Sequence, residues 1–581
     1  MDTKLDLMRT LEQLRLDNPL LTPQQMAAWD RWTIDEFGLP EELLMENASR
    51  VALDVLRERF PRVGAPGAPD CLEGKRVLLL AGPGNNGGDA VALARHLLDN
   101  GAVVLVLTTK SPEAYKGTAQ KHLEYAQKAG VPFGFIQIAD WLRPMDQLPE
   151  EYGAADREGF CDIIVDGLLG TGFSGELRDD YKTWVQAINK IRDRAFVLAI
   201  DVPSGLDGTT GKPSPVAVRA HATVTMEAAK TGIALPEAEP WVGRLEVRRI
   251  AIPRAVRFAQ PVQRALLTDA VASLVDTPDP AMHKGTAGRV CIIGGSHGLT
   301  GAPVLSAIAA LRAGAGLVTI ACPGGIASEV KNGQPECMTL PLGEGTVLVP
   351  EMYSELEERI PGFDALLLGP GMGRDPESAR LLKRVLAQEN RPPAVVDADG
   401  LFHLSQRPSL LGMLTDRDVL TPHPVEMARL VAAVDTMDES SAMERYTENR
   451  IALAEGFAER FAPCLVLKGA GTVVAQKLAG NDDPTSFLCP IACPELAIGG
   501  SGDVLAGLIA ALLGRNDRNS PPLPAACLGV YWHASTGRIL GRSVPGRGAM
   551  AREIAHALPQ ALKELIHAHS QGHHDHGRGL G

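Results

Sequence analysis

Two glycine-rich loops, each closed by an aspartate, lie far apart in this chain. Each joins an apolar run to a helical pattern. The first, Gly82-Pro83-Gly84-Asn85-Asn86-Gly87-Gly88-Asp89, follows Arg76–Ala81 and opens the pattern Val91–Leu98. The second, Gly499-Gly500-Ser501-Gly502-Asp503, opens Val504–Leu513. A strand that feeds glycines into a helix start aims free backbone N–H groups and the positive end of the helix dipole at an anion. An aspartate closing such a loop repels a phosphate, so it makes sense only beside a proton, a hydroxyl or a cation. The pattern predicts two nucleotide-type sites in one α/β polypeptide.

Length and charge narrow the possibilities. A chain of 581 residues exceeds one ordinary core and predicts several domains. The net charge of −13 argues against general affinity for nucleic acid or anionic membranes, so anionic ligands must be captured by local loops and helix ends. Nine scattered cysteines make a poor disulfide framework, and Cys489 and Cys493 lack a second pair at metal spacing. Met1–Leu21 reads as an amphipathic helix without a signal-type apolar core, and no apolar run has the length of a bilayer span. A soluble cytoplasmic protein is expected.

From about Lys75 short β-rich runs alternate with helical patterns, the rhythm of doubly wound α/β domains. Strands are predicted at Arg76–Ala81, Ala102–Thr108, Asp162–Val165, Ala195–Ile200 and Gly243–Ile250. A second series follows at Arg289–Ile293, Leu317–Ala321, Ala365–Leu368, Ala394–Val396, Val419–Thr421 and Cys464–Leu467. Thr22-Pro23-Gln24-Gln25 reads as a helix start. The expected organisation is a first domain over 1–255, a linker over 256–266, a second domain over 267–566 and a disordered histidine-rich tail over 567–581.

Three polar loops recur at strand ends in the first half: Asn85–Asp89, Asp166–Gly172 and Asp201–Asp207. Ligands of open parallel sheets bind beyond the carboxyl ends of the strands, where all three would converge. Asn86, Asp166 and Ser204 offer an oxygen set that suits a hard cation. Gly170–Gly175 has the composition to wrap a pyrophosphate, and Asp201 is left as the acid/base candidate. Ordinary turn chemistry explains any one of these loops, but three in this order are harder to dismiss. Together with Leu44-Met45-Glu46-Asn47-Ala48 and Glu227-Ala228-Ala229-Lys230-Thr231-Gly232, they make residues Thr22 to Pro253 resemble the NAD(P)H-hydrate epimerase family. The resemblance implies a Rossmann-like three-layer domain that interconverts the R and S forms of hydrated NADH or NADPH. It implies substrate contacts at Asn85, Asn86, Gly87, Gly88, Asp89, Gly170, Thr171, Gly172, Phe173, Ser174, Gly175, Glu176 and Asp201, and potassium held by Asn86, Asp166 and Ser204. Ala90 departs from the glycine usual there. A scaffold that has lost catalysis is the non-enzymatic alternative.

In the second half, Gly499–Gly502 forms an anion hole in which Asp503 reaches an acceptor hydroxyl as general base. Lys468–Thr472 offers backbone donors and one cation to a nucleotide. His423 and Glu426 share a helix start, where His423 alone reads as a structural helix-entry residue. Asp397 and Asp399 alternate in an extended stretch, so at most one is expected to face the site. This is the ribokinase-like layout. With His283-Lys284-Gly285, Gly294-Gly295-Ser296, Gly301-Ala302, Gly369–Gly373 and Thr421-Pro422-His423-Pro424-Val425-Glu426, residues Leu267 to Leu565 resemble ADP/ATP-dependent NAD(P)H-hydrate dehydratases. The resemblance implies that Ala302, Gly373, His423 and Asp503 contact the hydrated nucleotide. It further implies that Lys468, Gly469, Ala470, Gly471, Thr472 and Gly502 contact ADP, with Mg²⁺. Ile498 stands where a threonine is common.

The two halves point to one metabolite. The sequence is read as a bifunctional repair enzyme, an isomerase fused to a lyase, with small-molecule partners only and a homo-oligomeric state. The alternative enzyme is a ribokinase-like small-molecule kinase fused to a nucleotide-binding scaffold.

Overall fold

The computed structural model describes residues 3–61, 71–135, 161–173, 175–515, 520–544 and 548–576. The chain forms two compact units, one of residues 19–262 and one that combines residues 1–18 with 263–581.

The 19–262 unit is built on strands β2 (Arg76–Ala81), β3 (Val103–Thr108), β4 (Phe133–Phe135), β5 (Ile163–Gly167), β6 (Phe196–Ile200), β7 (Ala222–Met226) and β9 (Arg244–Arg248). They form one parallel sheet in the order β4-β3-β2-β5-β6-β7-β9. Side chains alternate across a strand. Val77, Leu79 and Ala81 of β2 enter one core cluster, while Leu78 and Leu80 enter the cluster on the opposite face. That double burial is why the run reads as continuously apolar. A separate two-stranded sheet pairs β1 (Leu20–Leu21) with β8 (Ala229–Lys230). Thr22 then caps the Pro23–Asp35 helix through a reciprocal box with Gln25, as its sequence predicts.

The larger unit carries a ten-stranded sheet. Its strands are β10 (Arg264–Leu266), β11 (Arg289–Ile293), β12 (Leu317–Pro323), β13 (Met338–Leu342), β14 (Ala365–Leu368), β15 (Ala394–Val396), β16 (Val419–Leu420), β17 (Cys464–Leu467), β18 (Val473–Gln476) and β19 (Thr485–Leu488). Their order is β10-β19-β18-β17-β16-β15-β14-β11-β12-β13, and only β18 runs antiparallel to its neighbours. Leu367, Val395, Val419 and Val466 enter one core, and their neighbours Leu366, Leu368, Val396 and Leu420 are equally buried.

Strand order locates the sites. In the first sheet the chain runs β2-β3-β4 outward in one direction and β5-β6-β7-β9 in the other. In the second it runs β11-β12-β13, then β14-β15-β16-β17. The order therefore reverses between β2 and β5, and between β11 and β14. Such reversals are where open parallel sheets take their ligands, beyond the strand carboxyl ends.

Three expectations need correction. The first eighteen residues do not belong with the first domain. The Thr3–Asp17 helix places Leu11 and Leu14 in the core of the larger unit, and the Leu266 N–H donates to the Asn18 carbonyl. Its apolar stripe reads as amphipathic, but nothing local says which core it joins. The stretch expected as a linker is structured, with a helical turn at Val256–Ala259 and β10 on the sheet edge. The expected tail begins inside a helix that spans Ala551–His576.

Replacing Leu11 or Leu14 by alanine should destabilise the larger unit by about 2–4 kcal/mol each, as expected for large-to-small core changes. Urea unfolding followed by hydrogen exchange should show the loss there, with protection in residues 19–262 unchanged.

Candidate active sites

In the first unit the glycine-rich loop is largely helix. The Asn85–Asp99 helix starts at Asn85, so Asn85, Asn86, Gly87, Gly88 and Asp89 form its opening turns rather than a preceding loop. The glycines let backbones touch. A Cβ on Gly87 would lie 1.7 Å from the Gly82 carbonyl oxygen, and one on Gly82 would lie 2.0 Å from that of Leu168. The Ala90 methyl is accommodated because Gly167 faces it, with an ideal Cβ there only 2.5 Å away.

The proposed cation ligands converge. Asp166 is fully buried, and its carboxylate accepts the Ser204 hydroxyl at 2.6 Å, the Ser204 N–H at 2.8 Å and the Leu168 N–H at 3.3 Å. The Asn86 amide donates to the Leu169 carbonyl at 2.7 Å, while its buried Oδ1 has no hydrogen-bond partner. Burial pushes the Asp166 carboxyl up to about 6, offset in part by those hydrogen bonds. An orphaned amide oxygen beside a carboxylate with only neutral donors fits a hard, weakly held cation.

Asp201 follows β6 with φ of 64°, a left-handed conformation rare for a residue with a side chain. Its Oδ2 accepts the Thr171 N–H at 3.2 Å, which ties it to the Gly170–Gly172 turn. Its Oδ1 accepts Lys230 Nζ at 2.6 Å and the Thr225 hydroxyl at 3.2 Å. Burial alone would raise the Asp201 carboxyl, but the charge and hydrogen bond of Lys230 bring it below its ordinary value. Asp89 moves the other way. Burial, then the nearby carboxylates Asp201, Asp30 and Glu41, push it well above the usual range. Burial likewise raises Asp30 to about 6. Phe173 is half-buried against the core, Gly172, Gly175 and Glu176 are exposed, and Ser174 lies outside the described residues.

In the second unit the Ser501–Leu513 helix begins behind Gly500, whose φ of 91° turns the chain into it. Gly502 and Asp503 lie in the first turn, where N–H groups are free. A Cβ on Gly502 would stand 3.2 Å from Lys468 Nζ. That ammonium donates to Asp397 Oδ1 at 2.7 Å and lies 3.9 Å from Glu426 Oε2. Thr421 donates to the same Asp397 oxygen at 2.8 Å. Burial pushes Asp503 up to about 7; Asp397, Asp399 and Glu426 add to the rise and Lys468 opposes it. Burial also brings Glu426 to about 7.

The extended backbone assumed for Asp397 and Asp399 does not hold: Ala398 has φ of 49°, and Asp399 opens a helix. Asp399 accepts the Gly373 N–H at 2.9 Å, and the Gly373 carbonyl meets His403 Nε2 at 2.9 Å. Ala302 is the second residue of the Gly301–Arg312 helix. His423 takes the structural role open to it. Its Nδ1 accepts the Val425 and Glu426 N–H groups, and Glu426 returns a bond to the His423 N–H. Burial, with Lys468 nearby, lowers His423 to about 4, so the ring is neutral. The Lys468–Thr472 turn is held by the Thr472 hydroxyl on the Gly469 carbonyl at 3.0 Å and by Arg450 on the Ala470 carbonyl.

The sequence alone gives no role to Lys230, Thr225, Asp30 or the Lys468–Asp397 pair. The available signal is a lysine at the end of an apolar strand run. Among the described residues no group of three His, Cys, Asp or Glu is arranged to hold a metal ion.

Two α/β units, each with buried carboxylates at a topological switch point, define a two-site enzyme of nucleotide-like substrates. Comparison with known proteins narrows this class. Residues 290–560 match the NAD(P)H-hydrate dehydratase family, and residues 41–232 match the YjeF-related protein N-terminus family. A bifunctional NAD(P)H-hydrate repair enzyme of Moorella thermoacetica is 36% identical over 549 residues, covering 94% of this chain and 97% of its own. A counterpart in Salinibacter ruber is 33% identical over 559 residues, covering 94% and 96%. Among solved structures, a ribokinase-like superfamily protein from Enterococcus faecalis shares 26% identity at a TM-score of 0.43, over 52% of this chain and 96% of its own. An ADP/ATP-dependent NAD(P)H-hydrate dehydratase from Bacillus subtilis, co-crystallised with ATP and Mg²⁺, shares 24% at 0.41, over 52% and 98%. The chain belongs to the family of bifunctional NAD(P)H-hydrate repair enzymes.

Gly87→Ala should cost the first unit about 3 kcal/mol or more, because its methyl meets backbone that cannot yield. Gly84→Ala, with nothing within 4 Å, should be tolerated. Thermal unfolding of the two variants checks the contrast.

Proposed function

We propose that the first unit interconverts R and S hydrated NAD(P)H and that the second dehydrates the S form at the expense of ADP. Family membership supports the pair of activities. The observation that carries the chemistry is Asp503 in the first turn of a helix, held near neutrality beside the Lys468–Asp397 pair.

The substrate carbon of the first reaction bears both a hydroxyl and the ring nitrogen. It inverts when one of those bonds opens and recloses from the other face. Opening the carbon–nitrogen bond needs a base at the hydroxyl and an acid at the nitrogen; opening the carbon–oxygen bond needs an acid at the departing hydroxyl and a base at the water that returns. Asp201, kept ionised, suits the base; Asp89, kept protonated, suits the acid. Environments that push two carboxyl groups apart are how one pocket supplies both roles. The substrate contacts are the opening turns Asn85–Asp89 and the Gly170–Glu176 turn. Potassium on Asn86, Asp166 and Ser204 would neutralise Asp166 and tie the three loops together.

In the second reaction Asp503 accepts the proton of the substrate hydroxyl as that oxygen attacks the terminal phosphoryl group of ADP, releasing AMP. N–H groups of the Gly499–Gly502 turn receive the developing negative charge. Lys468–Thr472 cradles the nucleotide, with Ala302, Gly373 and His423 against the hydrated ring. When bound with the nucleotide, Mg²⁺ would help neutralise the phosphates. The nitrogen lone pair then expels phosphate, and loss of a proton from the adjacent carbon restores the nicotinamide double bond. The setting is the cytoplasm, where these nucleotides meet.

The test is recovery of NADH absorbance from mixed R and S hydrated NADH with ADP, Mg²⁺ and K⁺. Recovery past the S fraction, faster than spontaneous epimerisation, supports both activities. Asp201→Asn should stop fast recovery at the S fraction. Asp503→Asn should abolish recovery while R and S still equilibrate. Accumulation of a phosphorylated product without elimination would instead identify a kinase.

Asp503 must be ionised to accept a proton. The dehydratase kcat/KM should therefore fall about tenfold per pH unit below about 7 and level off above it. A profile flat from pH 5 to 8 would remove Asp503 as the base.

A further inference from the structure

The ammonium of Lys230 opposes the carboxylates that crowd Asp89 and Asp30. Lys230 is fully buried. Its backbone is fixed by the parallel pairing of Leu21 with Lys230 and by the Thr231 N–H on the Leu21 carbonyl. Its Nζ donates to Asp201 Oδ1 at 2.6 Å, Thr225 Oγ1 at 2.8 Å and the Met226 carbonyl at 3.0 Å. An ammonium has three protons and no acceptor. The three bonds use it completely, and no proton remains for a substrate.

The consequences fall on Asp201. Its Oδ1 is occupied twice over, by Lys230 and by Thr225, while Oδ2 accepts the Thr171 N–H, and the Thr171 side chain also bonds the carboxylate. The left-handed backbone at Asp201 is a strained placement of the kind that persists where surrounding contacts enforce it.

We infer that Lys230 is a positioning residue of the epimerase: it pins one oxygen of Asp201 and neutralises the surrounding carboxylates, so that the other oxygen is presented to substrate. This rests on Asp201 being the base of the first reaction. The charged groups that face the pair are Asp30 of the Pro23–Asp35 helix, Glu41 at the start of the Glu41–Arg59 helix, Asp89 of the Asn85–Asp99 helix and Glu227 beyond β7. Glu227 is itself paired with Arg257 at 2.8 Å. Without Lys230, Asp201 stands among like charges in a buried setting, and both effects favour its protonated form.

The test uses the full chain without ADP, so that dehydration is silent, and follows the R to S ratio of hydrated NADH by chromatography across pH. The Lys230→Met variant should lift the acid limb of kcat/KM by about one pH unit or more. On the acid limb the rate should fall about tenfold for each unit of that lift, recover as pH rises and leave KM little changed. A merely structural lysine would lower the rate at every pH without moving the limb. If Lys230→Met does not fold, Thr225→Val keeps the ammonium, frees one of its bonds and should move the limb in the same direction by less. An unmoved limb in a folded Lys230→Met protein, or in Thr225→Val when the first variant does not fold, overturns the inference. Wild-type protein that leaves the ratio at its spontaneous rate overturns the epimerase reading, and this inference with it.

Discussion

A carboxylate taken out of water must find a cation, find donors or take up a proton. Both units are organised around that requirement. Each buries several carboxyl groups at the mouth of a parallel sheet, and each answers with a lysine from another strand. Lys230 meets Asp201 in one unit, and Lys468 meets Asp397 in the other. Lys230 holds Asp201 below its ordinary value, while Asp89 in the first unit and Asp503 in the second are driven toward the protonated form. The first pocket thereby contains carboxyl groups held in different states near neutral pH. The acid/base chemistry follows from how few positive charges have been placed among the negative ones.

The sheets make this placement possible. Strands covered on both faces deliver their loops to one edge, and the reversal of strand order leaves a gap there. Glycines let the loops close on one another backbone to backbone, as Gly82, Gly87 and Leu168 do. Helix starts then point their free N–H groups into the gap. A polar cluster with so many acidic oxygens survives because hydrogen bonds such as Ser204 to Asp166 share out the negative charge.

Much of this could be read from the residues. Arg76–Ala81, Arg289–Ile293, Ala365–Leu368 and Cys464–Leu467 are strands at their predicted bounds, because double burial leaves an unbroken apolar run. The loops declare themselves through glycine next to aspartate. Long-range partnership is what the sequence withholds. Asp201 and Lys230 are separated by 29 positions and Asp397 and Lys468 by 71, and no local spacing connects them. Asp397 and Asp399 mislead for a different reason: the alternation rule assumes extended backbone, which Ala398 breaks. His423 illustrates a residue whose side chain is taken up in capping a helix.

The placement of the Thr3–Asp17 helix bears on how such a gene can be divided. The larger unit is discontinuous in sequence, with the whole smaller one inserted after its first helix. During synthesis that helix emerges first and has no core to join until the last strands and helices have been made, whereas residues 19–262 can fold as soon as they leave the ribosome. A fission at the boundary near residue 262 would hand the helix to the wrong product and leave a bare apolar seam on the other. Separating the two activities cleanly takes two cuts, not one.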